Sequence, residues 1–313
     1  MEVELEQPGT ELPLRAILAR VSDAWFLGRA VYQAAAFEPL EELLYANEAG
    51  YLEALILTAR GDEFKEERDA WLKEDPEALE RTVASVIRGD AGFLKSLVVA
   101  RGESLILEED FHEYGSHDLP PIASCTKSVS SILVGLAIQE GHIESVDQPL
   151  LSFLPELAGE AGSGWDELTL EHLLTMSLAL DWSPEEAEGL HGTGPEAFRR
   201  IVARNVIGRP GEDWRYVNMN VNLLAGVLHR ATGEHAEAFA VRTLFAPLGI
   251  TEWDWSYARR DGFNLMDGSL RLRPRDLAKI GVMMMNGGIW QGRRIVEESW
   301  ARRSVEALLP AGA

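Results

Sequence analysis

The sequence holds one cysteine, Cys125, so no intrachain disulfide can form. Lysine is almost as scarce: of 29 basic residues, only Lys65, Lys73, Lys95, Lys127 and Lys279 are lysine. Asp and Glu number 51, which leaves a formal net charge of −22. Such an excess of acid repels phosphate backbones and anionic lipid, so neither nucleic-acid nor membrane binding is expected. The short cluster Arg271, Arg273 and Arg275 reads as a solvated face. No apolar run approaches the roughly 20 residues of a membrane span. The opening stretch Met1–Glu6 lacks the basic region that begins a secretory signal, so the sequence reads as a reduced, cytoplasmic protein. There is no internal repeat, no low-complexity tract and no metal-ligand spacing such as His-Glu-x-x-His. Neither a cofactor nor a metal is implied.

What is present is an ordinary globular balance, 46% hydrophobic and 26% charged over 313 residues, enough for a sizeable core. The first ninety residues read as helical. Leu14, Ile17, Leu18, Val21 and Trp25 keep helical spacing, and Asp75-Pro76 is a good helix start for Leu79, Val83, Val86 and Ile87. Residues 1–91 are therefore expected to form a helical N-terminal extension, and 92–313 the main domain. That domain opens with two strand-like runs, 96–100 and 104–108, separated by Arg101-Gly102-Glu103 as in a β-hairpin. Pro120-Pro121 forces an extended approach to a helix that begins near Ser124, carries Val129, Ile132, Leu133 and Leu136, and stops at Gly141. Helices are expected around 170–176, 195–204, 220–232, 235–245 and 274–285, then a small hairpin at 289–296 and a helical segment at Trp300. Two strands followed mostly by helices argue for an α+β fold.

Two short motifs carry chemistry. Ser124-Cys125-Thr126-Lys127 is Ser-x-x-Lys, and on a helix positions i and i+3 share a face. A serine hydroxyl is a weak nucleophile until a base takes its proton, and a lysine does so when its surroundings lower its pKa. With 18 Ser and five Lys in the chain, chance supplies about 0.3 such motifs, so context has to carry the argument. The context is a helix start directly after a strand pair. The second motif is Tyr216-Val217-Asn218. A phenol beside an ammonium is pushed toward its anion and can accept a proton. The bland alternative is a packed tyrosine and an exposed asparagine. Tyr45-Ala46-Asn47 is a second match, but it lies upstream of Ser124 and reads as helix surface or loop. Cys125 points to another helical face than Ser124 and reads as a buried structural thiol.

These motifs sit in longer stretches that resemble the serine β-lactamase-like hydrolases: class C β-lactamases, penicillin-binding carboxypeptidases, esterases and nylon-oligomer hydrolases. The resemblance runs through Ser96-Leu97-Val98-Val99, Ile122–Val129, Gly141–Pro149, Pro210-Gly211 to Asn218, and Arg275-Asp276-Leu277-Ala278-Lys279 with Asn286-Gly287-Gly288. It implies an α+β, β-lactamase/transpeptidase-like fold: an antiparallel sheet flanked by helices, plus a helical subdomain. By the same resemblance Ser124, Lys127 and Tyr216 are catalytic, Asn218 orients the substrate or the lysine, and the partner is a small-molecule ester or amide cleaved through an acyl-enzyme. Leu173-Leu174-Thr175-Met176 resembles the family's pocket wall. The usual Ser-Gly-Leu that follows is replaced by Leu178-Ala179-Leu180, which alters the expected turn. Asp181 and Trp182 then read either as substrate-binding groups or as a cap and a core aromatic. His191-Gly192-Thr193-Gly194 precedes Tyr216 and so reads as a loop, not as the family's third motif.

That third motif, Lys-Thr-Gly or His-x-Gly, follows the tyrosine in the family, and none follows Tyr216 here. In the family's mechanism one oxyanion donor is the backbone N–H of the serine and the other comes from the strand bearing the third motif. Losing one such donor costs on the order of a hundredfold in rate. The resemblance therefore implies missing C-terminal strands and a fragment. The other possibilities are completion by a second chain, or a catalytically inactive relative that binds a ligand or partner.

Overall fold

A computed structural model describes residues 54–59, 94–111, 115, 117–183, 185–186, 192–255 and 262–306. They fall into two compact units. One is drawn from the chain up to Ser124 together with Ile250–Asp254 and Arg271–Val305; the other is drawn from Cys125–Gly249 and Trp255–Leu270.

The first unit is built on a three-stranded sheet: β1 (Ala54–Ala59), β2 (Ser96–Arg101) and β3 (Ser104–Asp110), in that order. β2 and β3 form the expected hairpin around Gly102, whose φ of 58° suits glycine, with a bulge between Val99 and Ala100. β2 is the central strand, and Leu97, Val98 and Val99, which alternate between its two faces, are all buried. β1 pairs with β2 in parallel register, Ala54 opposite Ser96. This departs from the helical reading of the first ninety residues and adds a parallel pair to the expected antiparallel sheet. The other predicted N-terminal elements, around Leu14–Trp25 and Asp75–Gly89, lie outside the described residues, as does Tyr45.

Helix α7 (Pro274–Met285) packs on β1 and β2. Proline at its start needs no N–H partner there. Its buried Asp276 accepts from Arg273 Nε at 2.6 Å and Lys279 Nζ at 2.7 Å, and its Arg275 pairs with Glu108 of β3. The small hairpin β6 (Ile289–Trp290) and β7 (Arg293–Arg294) and helix α8 (Glu298–Arg303) follow as anticipated. Before Ser124 the chain is extended as its prolines demand: Pro121 bridges Arg271, and Leu272 N–H donates to the Pro120 carbonyl at 3.3 Å.

The second unit is mainly helical. Its axis is α1 (Cys125–Gln139), buried from Cys125 to Ala137 and followed by Gly141 at a φ of 76°. Shorter helices are α2 (Leu170–Leu174), α3 (Pro195–Val202), α4 (Asn218–Val221), α5 (Leu223–Thr232) and α6 (Ala236–Ala240). The single helix expected over 220–232 is thus two. The one expected over 235–245 finishes in a wide turn of π type at Val241–Phe245. Helices α5 and α6 pack on α1, and Gly226 admits Phe198 and Leu154, which would meet an added Cβ at 3.0 and 3.1 Å. Short strands β4 (Trp253–Trp255) and β5 (Leu270–Leu272) were not anticipated. The α+β class holds, and the described residues include no helix long and apolar enough to cross a membrane.

Candidate active site

Helix α1 is apolar on most of its surface, yet its first turns carry Thr126, Lys127, Ser128, Ser130 and Ser131, all buried. Buried polar groups require partners. Thr126, Lys127 and Ser130 find them in the irregular stretch Met266–Leu270, whose own backbone groups lack a regular ladder. Ser130 Oγ donates to the Met266 carbonyl at 2.8 Å, Leu270 N–H donates to Thr126 Oγ1 at 3.3 Å, and Lys127 Nζ donates to the Asp267 carbonyl at 2.5 Å. Asn222, fully buried at the start of α5, accepts from Met266 N–H at 2.7 Å. The sequence reading missed Asp267 and Asn222. The Asp267 acceptor and the Met266 donor are main-chain groups, which leave no signature in side-chain patterns.

Lys127 is therefore an ammonium group only 7% exposed. Burial pulls its pKa from the ordinary 10.5 down to about 8, against the opposing pull of the Asp267 carboxylate. Nζ stands 5.0 Å from the centroid of the Tyr216 ring, within cation–π range. The structure thus brings Lys127 and Tyr216 together. Ser124 is half-buried and sits one residue before α1, where the helix dipole favours negative charge. Ala123 before it adopts a left-handed φ of 44°. The Cys125 thiol is buried, and burial pushes its pKa up to about 12, which fits a structural thiol.

Asn218 begins α4, and its Oδ1 is buried without a hydrogen-bond partner among the described residues. Asp181 turns both carboxylate oxygens to Asn205, accepting from its backbone N–H at 3.1 Å and its Nδ2 at 3.2 Å. Trp182 is 3% exposed; its Nε1–H donates to Asn220 Oδ1 at 2.9 Å, and the Arg204 guanidinium lies over its ring at 4.2 Å. Trp182 helps line a pocket of about 320 Å³ formed by residues of the stretches 176–182 and 207–220, including Trp214, Arg215 and Val217 on either side of Tyr216. Ala179 adopts a left-handed φ of 54°, a conformation better suited to glycine. Gly192–Gly194 is irregular and leads into α3, in keeping with a loop. Among the described residues no group of three or more His, Cys, Asp or Glu is placed to hold a metal ion.

The Beta-lactamase family model matches residues 76–307, most of the chain. The 6-aminohexanoate-dimer hydrolase of Paenarthrobacter ureafaciens is 27% identical over 234 residues, covering 69% of this chain and 57% of that protein. The lovastatin esterase of Penicillium rubens is 26% identical over 212 residues, covering 60% of this chain and 52% of that protein. The chain thus spans little more than half the length of these relatives. Among solved structures, the octameric penicillin-binding protein homologue from Pyrococcus abyssi aligns with a TM-score of 0.58 at 20% identity, over 72% of this chain and 59% of that one. Simvastatin synthase from Aspergillus terreus aligns with a TM-score of 0.53 at 17% identity, over 73% and 72%. At these identities the likeness speaks for the fold.

Proposed function

Because the chain belongs to the Beta-lactamase family, we propose that it is a serine hydrolase that cleaves a small-molecule ester or amide through an acyl-enzyme on Ser124. The observation that carries this reading is the buried Lys127, with its pKa drawn down to about 8, beside the Tyr216 ring in the helix that Ser124 precedes. At pH 7 such a lysine is a free base about one time in ten, against roughly one in a few thousand for an ordinary one. The names of the two relatives, a 6-aminohexanoate-dimer hydrolase and a lovastatin esterase, point the same way.

In this mechanism the neutral Lys127 amine, assisted by the Tyr216 phenol, takes the Ser124 Oγ proton as Oγ bonds to the acyl carbon. The carbonyl oxygen takes up the negative charge. The bond to the leaving alcohol or amine then breaks, and the proton passes to that group. Water repeats the sequence, releasing the acid and restoring Ser124. Asn218 Oδ1 offers an acceptor to an N–H of the substrate.

The test is to incubate the chain and a Ser124→Ala variant with an activated p-nitrophenyl ester and weigh both intact. An acyl adduct on the wild type alone supports the reading, and its formation rate should rise with pH and level off above about pH 8. A folded wild type that never acylates would sink it.

A further inference from the structure

We infer that the pocket beside Tyr216 receives a small, uncharged, apolar group of the substrate, about the size of a hexanoyl chain or one aromatic ring; this rests on the hydrolase reading and adds what the enzyme selects. Size sets the first limit. The pocket's 320 Å³ lies at the bottom of the ~300–1,000 Å³ usual for ligand sites and equals on the order of ten water volumes of ~30 Å³. That is room for one modest substituent.

Polarity sets the second limit. Leu178, Leu180, Ile207 and Val217 line it with the Trp182 and Trp214 rings, while each polar lining side chain is engaged within the protein. Asn220 Oδ1 accepts the Trp182 indole N–H at 2.9 Å. The Asp213 carboxylate accepts Arg209 N–H at 2.6 Å and the Arg209 guanidinium at 3.4 Å. Arg215 donates to the Trp182 carbonyl. A charged substituent would leave water for a mainly apolar wall whose polar groups already hold protein partners, a desolvation poorly repaid.

Backbone strain marks the same wall independently. The described non-glycine residues with left-handed φ are Ala123 at 44°, Met176 at 58°, Ala179 at 54° and Gln291 at 48°. Two of them line this pocket, and a third precedes Ser124. Strained residues persist where the surroundings demand them, and they cluster at ligand clamps. Ile207, 72% exposed, supplies an apolar rim that water would otherwise disfavour.

The experiment pairs binding with turnover on the intact chain. Hexanamide and its cationic analogue 6-aminohexanamide are titrated by calorimetry, and p-nitrophenyl hexanoate and acetate are compared as substrates, in wild type and Ile207→Glu. Ile207 is exposed, so the variant should fold, and circular dichroism verifies it. Hexanamide should bind at least tenfold more tightly than the cation. The preference for hexanoate over acetate should fall at least fivefold in Ile207→Glu, through KM. Absent hexanamide binding, equal or tighter binding of the cation, or a preference untouched by Ile207→Glu would overturn the inference. Hexanamide binding without turnover of either ester would sink the hydrolase reading and uphold the pocket's assignment; turnover indifferent to chain length would do the reverse.

Discussion

Replacing Lys127 by methionine should abolish acylation and yet stabilise the chain near neutral pH, with the gain reversing in alkali. The pKa of Lys127 is about 8 in the folded chain, against 10.5 for the ordinary side chain. At ~1.4 kcal/mol per pKa unit, holding the ammonium in this site costs on the order of 3 kcal/mol. Methionine fills much the same space without that cost, but it leaves the Asp267 carbonyl without the Nζ donor, a loss of about 1–2 kcal/mol. The net gain near pH 7 is about 1–2 kcal/mol. Its pH dependence has a definite sign. A lysine whose pKa is lower folded than unfolded destabilises the fold fully below pH 8, progressively less between pH 8 and 10.5, and not at all above. The advantage of Lys127→Met should therefore shrink through that window and become a deficit above it. Urea denaturation of both proteins at pH 6.5 and at ~pH 10.5, followed by circular dichroism, measures the two differences. A variant less stable than wild type at pH 6.5, or a difference that ignores pH, would refute the assignment of a dehydrated ammonium at Lys127.

Other consequences are as direct. Ala179→Gly should lie within about 0.5 kcal/mol of wild type or above it, because relief of the left-handed φ offsets the extra freedom glycine has when unfolded. Ala137→Gly, inside α1, should instead cost about 1 kcal/mol by the same thermal or urea unfolding assay. Asn222→Ala should cost about 2–3 kcal/mol, since it strands the buried Met266 N–H; a cost below ~1 kcal/mol would mean that bond is expendable. Cys125 should resist iodoacetamide in the native chain at pH 8 and react at once in denaturant, the thiol being buried with its pKa near 12.

The parts of the fold legible in the sequence are those with local punctuation. Pro274 opens α7, Gly102 turns the β2–β3 hairpin and Gly141 follows α1, each where the sequence places it. The meeting of Lys127 with Tyr216 was readable from motif order and flanking similarity. What escaped depends on distance. The partner of β2 on its other edge is Ala54–Ala59, whose short apolar run carries no sign of parallel pairing. The grip on Lys127 comes from a carbonyl 140 residues away, to which any residue type contributes the same oxygen. The split of the helix expected over 220–232 follows a tertiary demand too: Asn222 sits at the junction with its side chain committed to Met266. At Leu178-Ala179-Leu180 no pattern of residue types announces the left-handed φ that Ala179 adopts.

The chain leaves the first unit at Ser124, completes most of the second, and returns to the first only at Ile250–Asp254 and Arg271–Val305. On a ribosome this order has a cost in time. At roughly 5–20 residues per second, helix α7, which packs on β1 and β2, is made some 10–30 seconds after the β2–β3 hairpin. During that interval the apolar surface of β2 that α7 packs on lacks its cover and is open to association with other nascent chains. The contiguous stretch Cys125–Gly249, by contrast, can begin to fold as it emerges. The yield of soluble protein should therefore depend on translation speed and chaperone supply over residues 250–305 more than over residues 125–249.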